Sequence, residues 1–363
     1  MTDPKSEAQT APAHPYEDLP ETAYWRPAVA DAGPHRVTGL WTPKFRIKPS
    51  DKVVTAGSCF AQHIGRALTA HDYNWTDFEP APPFFPDDEK PRYGYGIFSF
   101  RTGNIYTPSM LHQWLRLSHG EGPDASEFWE KEGRIYDPLR PAIEPDGFTD
   151  LAEFTAAREA TYRAIRNAAE HCDVFVFTLG LTEHWTNADT ELEYAMCPGT
   201  IAGTFDADRH VFGNANARKV YRDTRLAAKA LRAINPGIRV LLTVSPVPLT
   251  ATASGKHVLT ATSYSKSVLR SAAGQLSDDF NWIDYFPSYE IITHPVFRGM
   301  FFAPNMRNVE PAGVETVMSH FFAEQNRAFG KPKRKKRNAT LDPAPPAKSE
   351  VQCEEVMLDA FAR

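Results

Sequence analysis

Four short apolar runs, at residues 52–56, 174–179, 239–244 and 282–285, constrain the fold of this chain more than any other feature. Each is strand-length and nearly continuous in apolar residues, the pattern of a parallel strand covered on both faces. Apolar residues recur at helical spacing over 151–170, 217–234, 262–276 and 312–322, so helices fall after or between the runs. Gly213-Asn214 and Asn235-Pro236-Gly237 mark the two ends of one such helix. Strands alternating with helices predict an α/β fold, a three-layer α/β/α sandwich around a mostly parallel sheet. From Trp75 to Asp150 the pattern lapses into prolines and aromatics, among them Pro80, Pro82, Pro83, Phe84, Phe85 and Pro86. This reads as an irregular insertion after the first helix, on the substrate side and lid-like.

The chain has 363 residues, enough for one large or two small domains with a real core. Residues 1–24 read as a flexible leader, 25–330 as the folded domain, and 331–363 as a basic and proline-rich flexible tail. The tail opens on Lys331-Pro332-Lys333-Arg334-Lys335-Lys336-Arg337. Such a cluster can meet nucleic acid or anionic lipid, but on a chain of net charge −5 a solvated tail is the preferred reading. No apolar stretch approaches the roughly 20 residues that cross a bilayer. The N-terminus lacks an apolar signal core, so a cytoplasmic protein is expected. The four cysteines, Cys59, Cys172, Cys197 and Cys353, form no CxxC pair, and neither a metal nor a cofactor is expected.

The first apolar run ends in Gly57-Ser58-Cys59-Phe60-Ala61, followed by helix-compatible residues to Leu68. Ser58 therefore sits at the carboxyl end of a strand and the amino end of a helix. Ligands of open α/β sheets bind at this edge, and a serine there can act as a nucleophile. A Gly-Ser turn taken alone also fits a serine that merely caps the helix.

The pentapeptide resembles the signature of the GSCFA family, similar in turn to the SGNH (GDSL-like) hydrolases. The likeness extends through Gly103-Asn104-Ile105-Tyr106-Thr107, Gly180-Leu181-Thr182-Glu183-His184-Trp185, Ser245-Pro246-Val247 and Asp284-Tyr285-Phe286-Pro287-Ser288-Tyr289-Glu290, over about residues 40–328. It implies an SGNH-hydrolase-like fold with Ser58 as nucleophile and its own N–H and the Gly103-Asn104 block as oxyanion donors. The third block lacks the usual Asn, which leaves Thr182 or Glu183 to substitute, or else a hole with one donor fewer. Where relatives carry Asp-x-x-His-Pro, this chain has Asn305-Met306-Arg307-Asn308, and an amide cannot serve as general base. The remaining candidates for the base are His294, in His294-Pro295, then His257, then His184. Cys59 reads as a small residue packing the turn.

The expected function is a serine esterase or O-acyltransferase acting on small-molecule or carbohydrate acyl esters through a Ser58 acyl-enzyme. The alternative is a catalytically degenerate scaffold that binds a glycan or small ligand. An imidazole nitrogen on Ser58 Oγ would separate the two.

Overall fold

The computed structural model describes residues 14–332 and 353–362. In chain order the regular elements are β1 (Val53–Gly57), α1 (Phe60–Ala70), α2 (Pro108–Ser118), β2 (Trp129–Lys131), β3 (Arg134–Tyr136), α3 (Leu151–His171), β4 (Val174–Leu179), β5 (Glu183–Asn187), β6 (Glu193–Tyr194), β7 (His210–Asn214), α4 (Ala217–Ile234), β8 (Arg239–Val244), α5 (Val258–Asp279), β9 (Ile283–Tyr285), α6 (Ser288–Thr293) and α7 (Pro311–Phe329). A 3₁₀ segment, Glu354–Phe361, comes last.

The four apolar runs form one parallel sheet in the order β1-β4-β8-β9. Side chains alternate across it. Val53, Val174, Val176 and Leu241 pack under Phe60, Ile64 and Leu68 of α1 and Val317 and Phe321 of α7. Val54, Phe175, Phe177 and Val240 pack against residues of α2 to α5, including Trp114, Ile165, Val220 and Leu269. The result is the three-layer sandwich that continuous apolar strands require. β1 lies at an edge, where Val53 bridges to Trp75 and Thr55 N–H donates to Ser99 Oγ at 3.1 Å, so its free side is covered by chain.

The insertion is more structured than its composition indicates. It holds α2 and the β2–β3 hairpin, and Trp114 of α2 is fully buried against α3 and α4. Thr107 caps α2 by accepting from Met110 N–H at 3.2 Å, with Pro108 in the first turn. A helix anchored by a buried tryptophan is a core layer, which corrects the lid-like expectation for this part. A second, antiparallel sheet, β6-β5-β7, follows β4.

The tail also departs from expectation. Residues 333–352 and 363, which include most of the basic cluster and the proline-rich stretch, lie outside the described residues, as do residues 1–13 of the leader. Residues 353–362 are docked on the domain, with Glu355 buried and Leu358 packed beside a cluster of Tyr106, Leu181, Met196, Leu249 and Ala261. Among the described residues no helix is long and apolar enough to cross a membrane.

Candidate functional site

The site is built where β1 and β4 end. Gly57 takes φ +129°, and its partner across the ladder is Thr178. A methyl group on Gly57 would lie 2.3 Å from Thr178 O, so only glycine lets the two strands meet here. The ladder runs one residue further than expected. Ser58 N–H donates to Thr178 O at 3.0 Å and is therefore not an oxyanion donor, a correction to the sequence reading. The Ser58 side chain is left over: Oγ is buried and has no hydrogen-bond partner among the described residues. A serine that capped α1 would donate or accept at the helix start; this one does neither.

Gly103 to Tyr106 runs beside the same turn. Ile105 N–H donates to Gly57 O at 2.8 Å, and Tyr106 O accepts from the N–H groups of both Gly180 and Leu181, each at 3.0 Å. Gly180 fills the gap between them: a methyl there would lie 3.0 Å from Ser58 Cβ and 3.1 Å from Tyr106 O. The predicted Gly103-Asn104 block is thus brought to Ser58 together with Gly180. Its donors already hold a carboxylate. Asn104 N–H reaches Glu354 Oε1 at 3.3 Å, Asn104 Nδ2 donates to Glu354 Oε2, and Tyr106 O–H donates to Oε2 at 3.1 Å.

The other predicted residues do not hydrogen-bond Ser58 Oγ; Glu183 and His184 line the neighbouring cavity instead. Thr182 donates its hydroxyl to Asn214 Oδ1 at 2.7 Å, and its N–H to Ser265 Oγ at 3.1 Å. Glu183 accepts from Thr252 Oγ1 at 2.5 Å. His294 ends α6, where its Nδ1 accepts from Val296 N–H at 3.3 Å and its ring lies 5.7 Å from that of Trp25. His257 caps α5 by accepting from Leu259 N–H at 3.2 Å. In β5, His184 Nδ1 bonds Thr182 O at 3.1 Å. None of the three is hydrogen-bonded to Ser58 Oγ.

A cluster that sequence reasoning missed occupies their place. Lys266, on α5, is fully buried and donates from Nζ to Gly180 O at 2.7 Å. Burial pushes its pKa down to about 8. Pairing with Cys59, and next the charge of Arg307, hold the Cys353 thiol down to about 6, while the Cys59 thiol moves well up. Arg307 Nη2 lies 3.7 Å from Cys353 Sγ and 3.4 Å from Glu355 Oε2. Burial raises the Glu355 carboxyl to about 8. Arg307 stands in the stretch that replaces the usual base, and Tyr106 in the second block, so both were within sight in the sequence. Nothing in the local pattern pointed to Lys266 or to the tail.

Beside this cluster opens a cavity of about 750 Å³. Its walls are mostly apolar, with Met110, Leu181, Trp185, Tyr194, Met196 and Phe205 among them, and Tyr106 and Glu355 stand at the side facing the cluster.

Residues 52–321 match the profile of the GSCFA family. The chain belongs to the GSCFA family. The matched region begins at the foot of β1 and ends within α7, so it contains Ser58, Asn104, Lys266 and Arg307 but not the docked tail. No curated protein and no solved structure matches the chain.

Proposed function

We propose that this GSCFA protein is a serine esterase or O-acyltransferase in which Ser58 carries the acyl group. The observation behind this reading is the buried, unpartnered Ser58 Oγ beside a set of donors able to hold an oxyanion. The likeness of its sequence blocks to the SGNH hydrolases supports it. Ser58 Oγ adds to the ester carbonyl, whose oxygen takes up negative charge on the Asn104 and Tyr106 donors. Lys266, held on Gly180 O beside the Ser58 turn and kept partly neutral near pH 8 by burial, is the group we assign to take up the hydroxyl proton; it has to leave Gly180 O and reach Oγ when the ester binds. Collapse breaks the ester C–O bond, and the departing alcohol takes that proton. Water, or a sugar hydroxyl in the transferase case, then attacks the acyl carbon and gives its proton to Lys266, which returns it to Ser58 Oγ as the acyl–Ser58 bond breaks.

A second reading, a scaffold that binds its ligand without turnover, is favoured by the lack of an imidazole on Ser58 Oγ. Labelling with a fluorophosphonate and turnover of p-nitrophenyl esters distinguish the two. The enzyme reading expects labelling that Ser58→Ala abolishes, and a loss of roughly a hundredfold or more in turnover for Lys266→Met, while His294→Ala and His257→Ala retain activity. Neither labelling nor turnover in the wild type would establish the scaffold.

A further inference from the structure

The docked tail behaves as a ligand. Its Glu354 carboxylate takes three donors at once, the N–H and Nδ2 of Asn104 and the hydroxyl of Tyr106. Gly103 leaves room for it: a methyl at Gly103 would lie 2.8 Å from Glu354 Oε1. Four residues on, Leu358 enters the edge of the apolar cavity, and Phe361 stands at its mouth with 61% of its surface exposed. Head and body are thus placed as the two ends of one amphipathic compound. The cavity is only partly filled, since about 750 Å³ remains open, within the range of small-molecule sites.

The tail is held at a few points, Glu354 on Asn104 and Tyr106, Arg307 on Glu355 and Cys353, and Leu358 in the cavity wall, while Val356, Met357 and Phe361 are exposed. The segment also lies beyond the region that defines the family. The preformed parts, by contrast, belong to the domain: the Asn104 loop is tied to Gly57 and to Gly180 whether or not Glu354 is present.

The geometry points to residues 353–361 as an internal, displaceable occupant of the Ser58 site, standing in for an external acyl compound with a carboxylate or ester head on Asn104 and Tyr106 and an aliphatic chain in the cavity. This names the substrate class of the proposed serine site, and rests on that reading only for the chemistry, not for binding. It makes medium-chain acyl groups, rather than acetyl alone, the expected cargo.

The test is calorimetric titration of the full chain with sodium octanoate, sodium acetate and octylamine. A site whose open form is populated at 1–10% binds ten to a hundred times more weakly than the open form itself, roughly. Glu354→Ala/Leu358→Ala should therefore tighten octanoate binding about tenfold or more over wild type. Acetate and octylamine should show no such gain, and adding Tyr106→Phe should weaken octanoate again. In the unaltered protein, saturating octanoate should raise hydrogen exchange in 353–361, a readout that does not depend on a variant folding. Equal octanoate affinity in wild type and double variant, no octanoate binding in either, or unchanged exchange in the tail would each overturn the proposal. Calorimetry reads binding whether or not ester is turned over, so a failure of Ser58 labelling with octanoate binding intact would sink the enzyme reading and leave this one standing.

Discussion

Gly57→Ala offers the sharpest test of how the Ser58 turn is made. The backbone at Gly57 has φ +129°, and the new methyl would lie 2.3 Å from Thr178 O and 2.7 Å from Thr178 N. Both are main-chain atoms of β4 in direct register with Gly57, so no side-chain rotation can make room. Strain at such a φ costs of order 1–3 kcal/mol, and the overpacking adds about 1–3 kcal/mol. The sum, about 2–6 kcal/mol, is a large part of the stability of any domain. Relief requires β1 and β4 to part at their carboxyl ends, which would break the Ser58 N–H to Thr178 O bond and swing Oγ out of place. Gly133→Ala is the control. It has φ +73° in the β2–β3 turn but no atom within 4 Å of the new methyl, so it carries the backbone cost alone, about 1–2 kcal/mol. Equilibrium urea unfolding of both variants measures the difference. If the two variants lose the same stability within about 0.5 kcal/mol, the steric argument for the glycine is wrong.

Two further outcomes are expected. Asp137 is buried between Arg140 and Arg158, and Arg140 Nη1 also donates to Arg101 O at 2.7 Å, at the root of the Asn104 loop. Asp137→Asn leaves two buried guanidinium groups short of charge, so urea unfolding should show a loss of about 3–5 kcal/mol; a loss under about 1 kcal/mol would show the network to be idle. Cys353, with its thiol near 6, should be the first cysteine alkylated by iodoacetamide at neutral pH, as followed by mass spectrometry, with a rate that rises through pH 6 and levels above it. Cys197, raised to about 11, and Cys172, raised to about 12, should lag far behind. Removing the positive charge in Arg307→Met should move the Cys353 midpoint upward by about one unit; an unmoved midpoint would show that Arg307 does not stabilise the thiolate.

The sheet was legible in the sequence because burial on both faces leaves a local trace. The runs 174–179 and 239–244 coincide with β4 and β8 to the residue, the run 282–285 differs from β9 by one residue at its start, and the run 52–56 differs from β1 by one residue at both ends. The Gly57-Ser58 turn was legible for the same reason, being set by a strand, a glycine and a helix in succession. α2 escaped notice because the prolines and aromatics before it set the tone of the whole insertion, although Thr107-Pro108 is a helix start.

What the site contains was decided only in three dimensions. The sequence offered histidines as candidate bases, yet His257 and His294 each accept a neighbouring backbone N–H on Nδ1, and neither is hydrogen-bonded to Ser58 Oγ. The buried amine comes from Lys266, a polar position on a helix whose neighbours Ser265 and Val268 face the core. Its effect arises from desolvation, a property of everything packed around it and of no residue alone. Cys353 and Cys59, and Glu354 and Asn104, stand some 250–294 residues apart in the chain and meet in the fold. Local periodicity carries no record of such a meeting, because a tail that docks through one leucine, one cysteine and two glutamates leaves no apolar pattern to read.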